Sequence, residues 1–334
     1  MLIILKEYFM KVIVHKHTRP SFNLAVEEYL LKQTNDEVFM LWRNDRSVIV
    51  GRNQNTHAEI NEEFIKQNNI PVIRRQTGGG AVFHDLGNLN YTFITRSKDR
   101  FNDYTYFSEV VLKTLETIGI NAELSGRNDM LIDGKKFSGN AQCAFGNAVM
   151  HHGTLMFGAD VSSLSDALKV NPLKIKSKGI ASVRSRVTNI SDHLTQPMSI
   201  EQFTNKLKMT VLSTFPDAKE YELTAEDIVA IKKLEKEKYA TYEWNFGFKQ
   251  EYTVKKEARL EGGTVSVCLQ INDNKIETVK IYGDYFGIKD IAEIEDALYG
   301  TEYTPSAVKA RLKGFTINDY MCNVTQQELC ELIV

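Results

Sequence analysis

The sequence predicts an α+β protein: mixed β-sheets flanked by helices over residues 1–245, followed by a small α+β accessory unit over 246–334. Three observations carry this. Short strand patterns and 3.6-period helical patterns are interspersed along the first two thirds of the chain. A charge-dense helical end, Lys232-Lys233-Leu234-Glu235-Lys236-Glu237-Lys238, and the stretch Tyr239 to Phe246 mark a seam. Beyond it the pattern begins afresh with a hairpin and short helices. A length of 334 residues suits two domains, and 43% hydrophobic residues are ample for a core.

Lys11 to His15 alternates as a strand, and Ser21 is expected to cap a helix running to about Gln33 with Leu24, Ala25, Tyr29 and Leu30 inward. Val38 to Trp42 and Ser47 to Val50 are strands, the second ending in Gly51-Arg52-Asn53, where Arg52 taken alone reads as a solvated turn residue. Glu59 to Asn69 is helical, and Pro71 opens another strand. Leu89 to Thr95 alternates as a half-buried strand. Asp103 starts a helix with Phe107, Val110, Val111, Leu115 and Ile118 on one face, stopped at Gly119. Asp133-Gly134 is a hairpin turn between Met130–Ile132 and Lys136–Ala141. A helix from Glu201 carries Phe203, Leu207, Val211 and Phe215. Thr224 and Asp227 form a capping box, and the charge run that follows is expected to be the exposed end of that helix. In the accessory unit, strands over 264–271 and 276–282 flank Asn272-Asp273-Asn274. Helices then cover 290–299, closed by Gly300, a segment begun by Thr304-Pro305, and 324–333.

Composition removes several classes of function. Lys+Arg 41 against Asp+Glu 43 gives a net charge of −2, with no basic balance of the kind nucleic acid demands. Four cysteines (Cys143, Cys268, Cys322, Cys330) lack a C-x-x-C, so neither a zinc ribbon nor a disulfide framework is indicated, and a reducing cytoplasm fits. The apolar start, residues 1–10, is broken by Lys6 and Glu7 and is too short to span a bilayer; Met10 is a second possible start. No membrane partner is expected.

The chemistry gathers in a few stretches. Arg74-Arg75-Gln76-Thr77-Gly78-Gly79-Gly80-Ala81-Val82-Phe83-His84-Asp85-Leu86-Gly87-Asn88 lies between apolar runs. Three glycines let a ligand approach the backbone N–H groups, and two arginines supply forked donors, so the stretch reads as an anion-binding loop between strands. It is neither a Walker loop nor the dinucleotide G-x-G-x-x-G, and a Gly-rich hairpin turn is the alternative. Lys136 precedes Ser138-Gly139-Asn140-Ala141, residues too small to fill a core, which makes Lys136 a candidate charge in a cleft. His151 and His152 are adjacent in a strand and point to opposite faces, so they cannot easily share a metal; one faces the cleft, and His151 reads as core. Asn171 to Ile190 holds Lys174, Lys176, Lys178, Arg184 and Arg186 without an acid, fit to close as a lid over a polyanion such as an adenylate. The accessory unit has no Gly-rich loop or catalytic constellation and reads as accessory.

In order, the Arg74–Asp85 stretch, Lys136-Phe137-Ser138-Gly139-Asn140-Ala141 and His152-Gly153-Thr154-Leu155 together resemble the lipoate–protein ligase A family, a branch of the biotin/lipoate ligase fold. The resemblance extends to Lys178-Gly179-Ile180-Ala181-Ser182-Val183-Arg184-Ser185-Arg186 and to a C-terminal accessory domain. It implies activation of lipoate with ATP and Mg²⁺ to lipoyl-adenylate, then transfer to a lysine of an apo lipoyl domain of an E2 subunit or of glycine cleavage H protein. The preference between lipoate and octanoate is left open. The resemblance assigns Lys136 to the carboxylate and α-phosphate. It places Arg75, Thr77, Gly78, Gly79, Gly80 and Val82 around the adenylate, with His84 and Asn88 beside them. Asp129, Ser138, Gly139, Ala141, His152, Gly153, Thr154, Lys178 and Ala181 complete the set, with metal-coordinating groups unassigned. Bottom-up chemistry agrees, because carboxylate attack on an α-phosphate joins two anions and needs positioned cations and donors. Two alternatives are an ATP-independent lipoyl or octanoyl transferase using a cysteine thioester, and a non-catalytic lipoyl-adenylate binder. Against the first, Ser125-Gly126-Arg127-Asn128 holds no cysteine, and Cys143 reads as a buried structural thiol.

Overall fold

The computed structural model describes residues 9–126, 128–169, 186–247 and 251–334. Lys178, Ala181 and most of the basic run expected to form a lid lie outside the described residues. The largest element is an eight-stranded mixed sheet built from β1 (Met10–Val14), β2 (Glu37–Trp42), β6 (Asn88–Thr95), β7 (Glu123–Ser125), β8 (Asp129–Ile132), β9 (Lys135–Phe145), β10 (Ala148–Met156) and β11 (Lys219–Glu220). Its order is β11-β1-β2-β6-β10-β9-β8-β7. Against it lies a three-stranded sheet of β3 (Ser47–Val50), β4 (Val72–Arg74) and β5 (Val82–His84), ordered β4-β3-β5.

The period of two sorts side chains onto the two faces of the large sheet. On one face Phe39, Leu41, Leu89, Tyr91 and Phe93 meet helix α4 (Tyr104–Glu116) and the helix Ile200–Thr214. On the other, Val38, Met40, Trp42 and Ile94 meet α1 (Pro20–Gln33) and the helix Ala225–Leu234. With helices on both faces, β6 is buried along its whole length rather than half-buried as its alternation suggested. Its polar positions Asn88, Asn90 and Thr92 are therefore interior groups that need partners. In α4, Asp103 caps the first turn, and Phe107, Val110, Val111 and Leu115 are buried; four such side chains contribute on the order of 8 kcal/mol before entropy.

Several local expectations change. Ser21 does not cap α1: Pro20 opens the helix, and Ser21 lies inside it, donating to Glu235 Oε1 at 2.6 Å. The Glu59–Asn69 stretch is split into α2 (Thr56–Glu59) and α3 (Glu62–Gln67), with Asn61 capping the second. The charge run is not simply an exposed helix end. Glu235 is buried against Arg19 and Ser21, and Lys238 pairs with buried Glu28 at 2.8 Å and lies over Trp244. Tyr239, fully buried, ends that turn. Arg52 is no solvated turn residue, since it donates to Gln76 Oε1 and pairs with Asp290.

Residues 254–334 form their own apolar cluster on a sheet of β12 (Val254–Leu260), β13 (Gly263–Asn272) and β14 (Lys275–Gly283). The β13–β14 turn places Asp273 and Asn274 at positive φ, as a tight hairpin requires. β12 and a short helix, Ile317–Tyr320, carry no pattern read above. This unit meets the rest at the glycine stretch: Gly283 N–H donates to Asn53 O at 2.8 Å, and the Tyr285 carbonyl lies against Gly78. Among the described residues, no helix is long and apolar enough to cross a membrane.

Arg74 shows why the loop holds its place. Its guanidinium is buried and donates to the carbonyls of Gly51, Arg52, Gln54, Trp244 and Asn245 and to Thr56 Oγ1. Burial lowers its pKa only to about 10, so it stays cationic. Arg74 is thus committed to the scaffold and offers no donor to a ligand. Arg74→Met should strand these carbonyls and cost at least about 3 kcal/mol, seen as a lower urea midpoint at unchanged m-value.

Candidate functional site

A cavity of about 340 Å³ lies between the large sheet and the three-stranded sheet. Its floor follows one row of directly paired positions, which share a face of the sheet. Trp42 on β2 pairs with Asn90 on β6, and Asn90 pairs with Thr154 on β10. Thr154 Oγ1 accepts from Gly139 N on β9, and Gly139 pairs with Asp129 on β8. One row over, His152 lies beside Thr92 and Ala141. Lys136, on the hairpin arm expected from Asp133-Gly134, lies at the Asp129 end with Nζ 2.6 Å from Asp129 Oδ1. Gly139 makes this possible, because a Cβ there would stand 2.8 Å from Lys136 Nζ.

The roof is the glycine stretch, and it is not a hairpin turn. β4 and β5 both pair with β3 and not with each other, one parallel and one antiparallel, so residues 75–81 cross the end of β3. Gly51, at that end, approaches so closely that a Cβ would fall 2.0 Å from Gly79 O. Gly79 has φ 92°, where a side chain is strained. Arg75 ties the loop together: Nε donates to Thr77 Oγ1 at 2.9 Å, Nη1 to Ile49 O at 3.2 Å, and Nη2 to Gly78 O at 2.6 Å and Gly80 O at 2.9 Å. Burial, opposed by Glu27, brings its pKa to about 10, so a cation persists in the cavity wall with one Nη1 hydrogen left over.

Two adjacent acids of α1 brace the loop from behind. Arg75 donates to Thr77 Oγ1, which lies 2.8 Å from His152 Nε2, and His152 Nδ1 faces Glu27 Oε1 at 2.9 Å. Glu27, almost wholly buried, also accepts from Thr92 Oγ1, which in turn accepts from Trp42 Nε1. Glu28 accepts from Gln76, Tyr239, Lys238 and Lys32. Burial works to raise the Glu28 pKa, and hydrogen bonds from Lys238, Lys32 and Tyr239 overcome it, leaving the group below the usual carboxylate range.

Of the residues singled out in the sequence, the cavity wall includes Lys136, Arg75, Gly79, Gly80, Val82, His84, Asp129, Gly139, Ala141, His152, Gly153 and Thr154. Thr77 lies one hydrogen bond behind it, and Gly78 packs on Tyr285. Asn88 stands behind the wall, donating from Nδ2 to Asn90 Oδ1 at 2.9 Å. Ser138 is buried on the opposite side of the strand from Gly139, near Asn140. His151 is a core residue between Tyr91 and Gln142, its ring stacked on Phe107 at 4.6 Å. Sequence reasoning missed Glu27, Trp42, Asn90 and Asn140. Two consecutive acids inside an otherwise apolar helix were the available signal for Glu27. It also missed the accessory unit, from which Arg259, Glu261, Asp284 and Phe286 reach the wall. Cys143 has its pKa pushed up to about 12 by burial, a protonated thiol unsuited to holding an acyl group.

A glycine loop with a fixed cation, laid across a sheet opposite an ion-paired lysine, is the arrangement of an acyl-activating ligase, able to hold an anion at one end and an apolar chain along Leu24, Ile49 and Val82. Residues 19–211 match the family model for the lipoyl protein ligase A/B catalytic domain, and residues 249–333 that for the bacterial lipoate protein ligase C-terminus. The chain is 42% identical over 319 residues to lipoate-protein ligase LplJ of Bacillus subtilis (strain 168), covering 94% of this chain and 96% of that one. It is similar in structure to a lipoate-protein ligase A bound with ATP, with TM-score 0.63, 28% identity and coverage of 72% and 99%. It is also similar to a bipartite lipoate protein ligase from Thermoplasma acidophilum, studied with its E2 lipoyl domain, with TM-score 0.64, 29% identity and coverage of 74% and 100%. The chain belongs to the lipoate–protein ligase family.

The buried histidines give a pH prediction. Burial first, then Arg75 and His152, lowers His84 to about 3, and burial holds His151 well below its ordinary value. Above about pH 6.5 both are neutral in folded and unfolded chains and cost nothing. As pH falls below that, only the unfolded chain takes up protons, so each removes about 1.4 kcal/mol of stability per pH unit until its folded pKa is reached. Between pH 7.5 and 5.0 the stability lost should be smaller in His151→Gln by about 2 kcal/mol, measured by urea unfolding. An equal loss in both proteins would contradict the burial account.

Proposed function

We propose that this cavity activates the carboxylate of lipoate with ATP, giving lipoyl-adenylate and pyrophosphate, and then passes the acyl group to an acceptor lysine. The observation that carries this is Lys136: its Nζ lies over side-chain-free Gly139 in a trough that also carries the apolar side chains of Leu24, Ile49 and Val82, facing the Arg75-braced glycine loop. A lysine there neutralises the attacking carboxylate and the α-phosphate, which otherwise repel each other. Asp129 holds that lysine in place until the anions arrive. The second step needs no protein nucleophile, since the acceptor amine attacks the mixed anhydride once it is positioned and water is excluded.

The acceptor is a lysine on an apo lipoyl domain of an E2 subunit or on glycine cleavage H protein; the E2 lipoyl domain studied with the Thermoplasma acidophilum ligase supports the first. Among the described residues, no group of three His, Cys, Asp or Glu stands ready for a metal. Mg²⁺ carried on the phosphates of ATP would neutralise charge on the nucleotide. We place the boundary between catalytic unit and accessory unit at residues 245/246, after the segment in which Asn245 and Trp244 hold Arg74. Four free cysteines, two of them buried, suit the cytoplasm.

Intact mass of an apo lipoyl domain and of apo H protein, incubated with the protein and free lipoate with and without MgATP, tests the reading. ATP-dependent lipoylation is expected on one or both acceptors. Transfer from an octanoylated donor without ATP, with no use of free lipoate, would overturn it in favour of a transferase. Lys136→Ala should fold normally and lose at least about 10²-fold in pyrophosphate release, the scale of removing one transition-state donor. Gly139→Ala gives an orthogonal check: its methyl crowds the end of the flexible Lys136 side chain rather than any backbone, so the thermal midpoint should hold while adenylate formation falls.

A further inference from the structure

The strand that carries Lys136 does not keep a strict alternation. Across β8 and β9, Met130 stands opposite Ser138 but Leu131 stands opposite Lys136, so Phe137 is one residue in excess. That is a β-bulge, in which two residues share one partner. Met130 and Phe137 both enter the core beneath the sheet, and Ser138 is buried as they are. Counting by twos from Ser138 would send Lys136 into that core as well. The extra residue turns it over instead, onto the side of Gly139 and Asp129, where its Nζ lies. The hairpin brings Lys136 near, and the bulge within it decides which face the lysine serves.

A bulge interrupts the ladder it sits in, so the backbone at Lys136 needs support from elsewhere. β10 does not give it, because its pairing with β9 runs only to Gly153 opposite Asn140. The support comes from residues 187 and 188. Val187 forms a parallel bridge with Lys136, and Thr188 N–H donates to the Lys136 carbonyl at 3.0 Å. Two residues would not hold that position alone; they are fixed by a platform just beyond them. Asn189 exchanges side-chain hydrogen bonds with the Ala159 backbone at 2.9 and 3.2 Å, Ile190 is fully buried, and Ser191 N–H donates to Phe157 O at 2.9 Å. The 3₁₀ turn Ile190–His193 then presents the His193 ring. Its Nε2 lies 2.8 Å from Thr188 Oγ1, and its Nδ1 lies 3.3 Å from Asp133 Oδ2 in the hairpin turn. Asp133 is largely exposed, so that second contact contributes little by itself. Thr188 is buried, and its contact closes the clamp.

We propose that Thr188 and His193 are positioning residues for Lys136: they clamp the bulged backbone from the side that β10 leaves, so that the ammonium meets the reacting carboxylate and phosphate in one geometry. The inference rests on the reading of Lys136 given above. Without the clamp the bulged segment is free to slide toward regular pairing, which swings Lys136 off the cavity face. A misplacement of about 1 Å at a catalytic group costs up to about 10²-fold in rate.

The test measures pyrophosphate release from ATP and lipoate by the wild type, Thr188→Val, Thr188→Ser and His193→Leu, together with hydrogen exchange at the Thr188 amide. Thr188→Val keeps the shape and the backbone N–H and removes only the hydroxyl. Thr188→Val and His193→Leu should each lower kcat about tenfold. KM for lipoate should move less than about threefold, because the apolar walls at Leu24, Ile49 and Val82 are untouched. Thr188→Ser restores the hydroxyl and should recover kcat to within about threefold of the wild type. The Thr188 amide should be protected in the wild type and exchange at least about tenfold faster in both clamp variants. Unchanged kcat in both clamp variants would overturn the proposal, as would Thr188→Ser no more active than Thr188→Val. A Thr188 amide that exchanges freely in the wild type would overturn it too, and that measurement decides even where a variant does not fold. If the wild type releases no pyrophosphate from ATP and lipoate, the ligase reading fails and the catalytic role of the clamp with it, whatever protection Thr188 shows.

Discussion

The arrangement depends on a pair of carboxylates buried where carboxylates are costly. Glu27 and Glu28 sit side by side on α1, a helix packed on one face of the large sheet, and each is tolerated only because it is fully engaged. Glu27 anchors His152 and, through it, Thr77; Glu28 anchors Gln76. Between them they fix two successive residues of the stretch that leads into three glycines. A chain so poor in side chains has little packing of its own, and its conformation must be imposed from outside. Arg75 supplies the rest by bonding to the loop's own carbonyls. The loop is thus pre-shaped around a cation before any anion is present, which is what electrostatic preorganisation requires.

The two neighbouring arginines divide their work by the alternation of the chain. Arg74 points back into the scaffold and bonds α2 and the Tyr242–Phe246 turn, while Arg75 points toward the cavity. Read as a sequence, Arg74-Arg75 is two equivalent charges. In the fold, one is mortar and the other is site. The same alternation separates His151, stacked on Phe107, from His152 in the cavity wall, and Ser138 from Gly139.

Much of this was legible because the motifs are local. Asp133-Gly134 dictates a tight hairpin, and that hairpin alone brings Lys136 beside Asp129. Adjacent histidines in a strand must face opposite ways. What stayed hidden depends on contacts far apart in the chain. The burial of β6 on both faces, the engagement of Glu235 and Lys238, and the pairing of Arg52 with Asp290 each need a partner more than 190 residues away or a helix layer that no local pattern announces. β12 shows no clean alternation of apolar and polar residues because Lys256 stands in the partly buried row with Val254, Ala258 and Leu260, its Nζ donating to the Ile333 carbonyl. The accessory unit's share of the cavity was invisible for the same reason: Phe286 matters through its contact with Gly79, not through any motif around it.

The unit with no recognisable chemistry of its own thus completes the environment in which chemistry takes place. Phe286 and the Tyr285 carbonyl lie against Gly79 and Gly78, leaving no room for a Cβ at either glycine. Gly79 also lines the cavity, so the position of the accessory unit and the shape of the cavity's roof are not independent. A ligand that presses on the loop from the cavity side presses, through two residues without side chains, on the strand end and turn at Gly283–Phe286. That is the physical reason a loop this open can still hold one shape: it is closed from behind by α1, from within by Arg75, and from outside by a unit the motif itself never mentions.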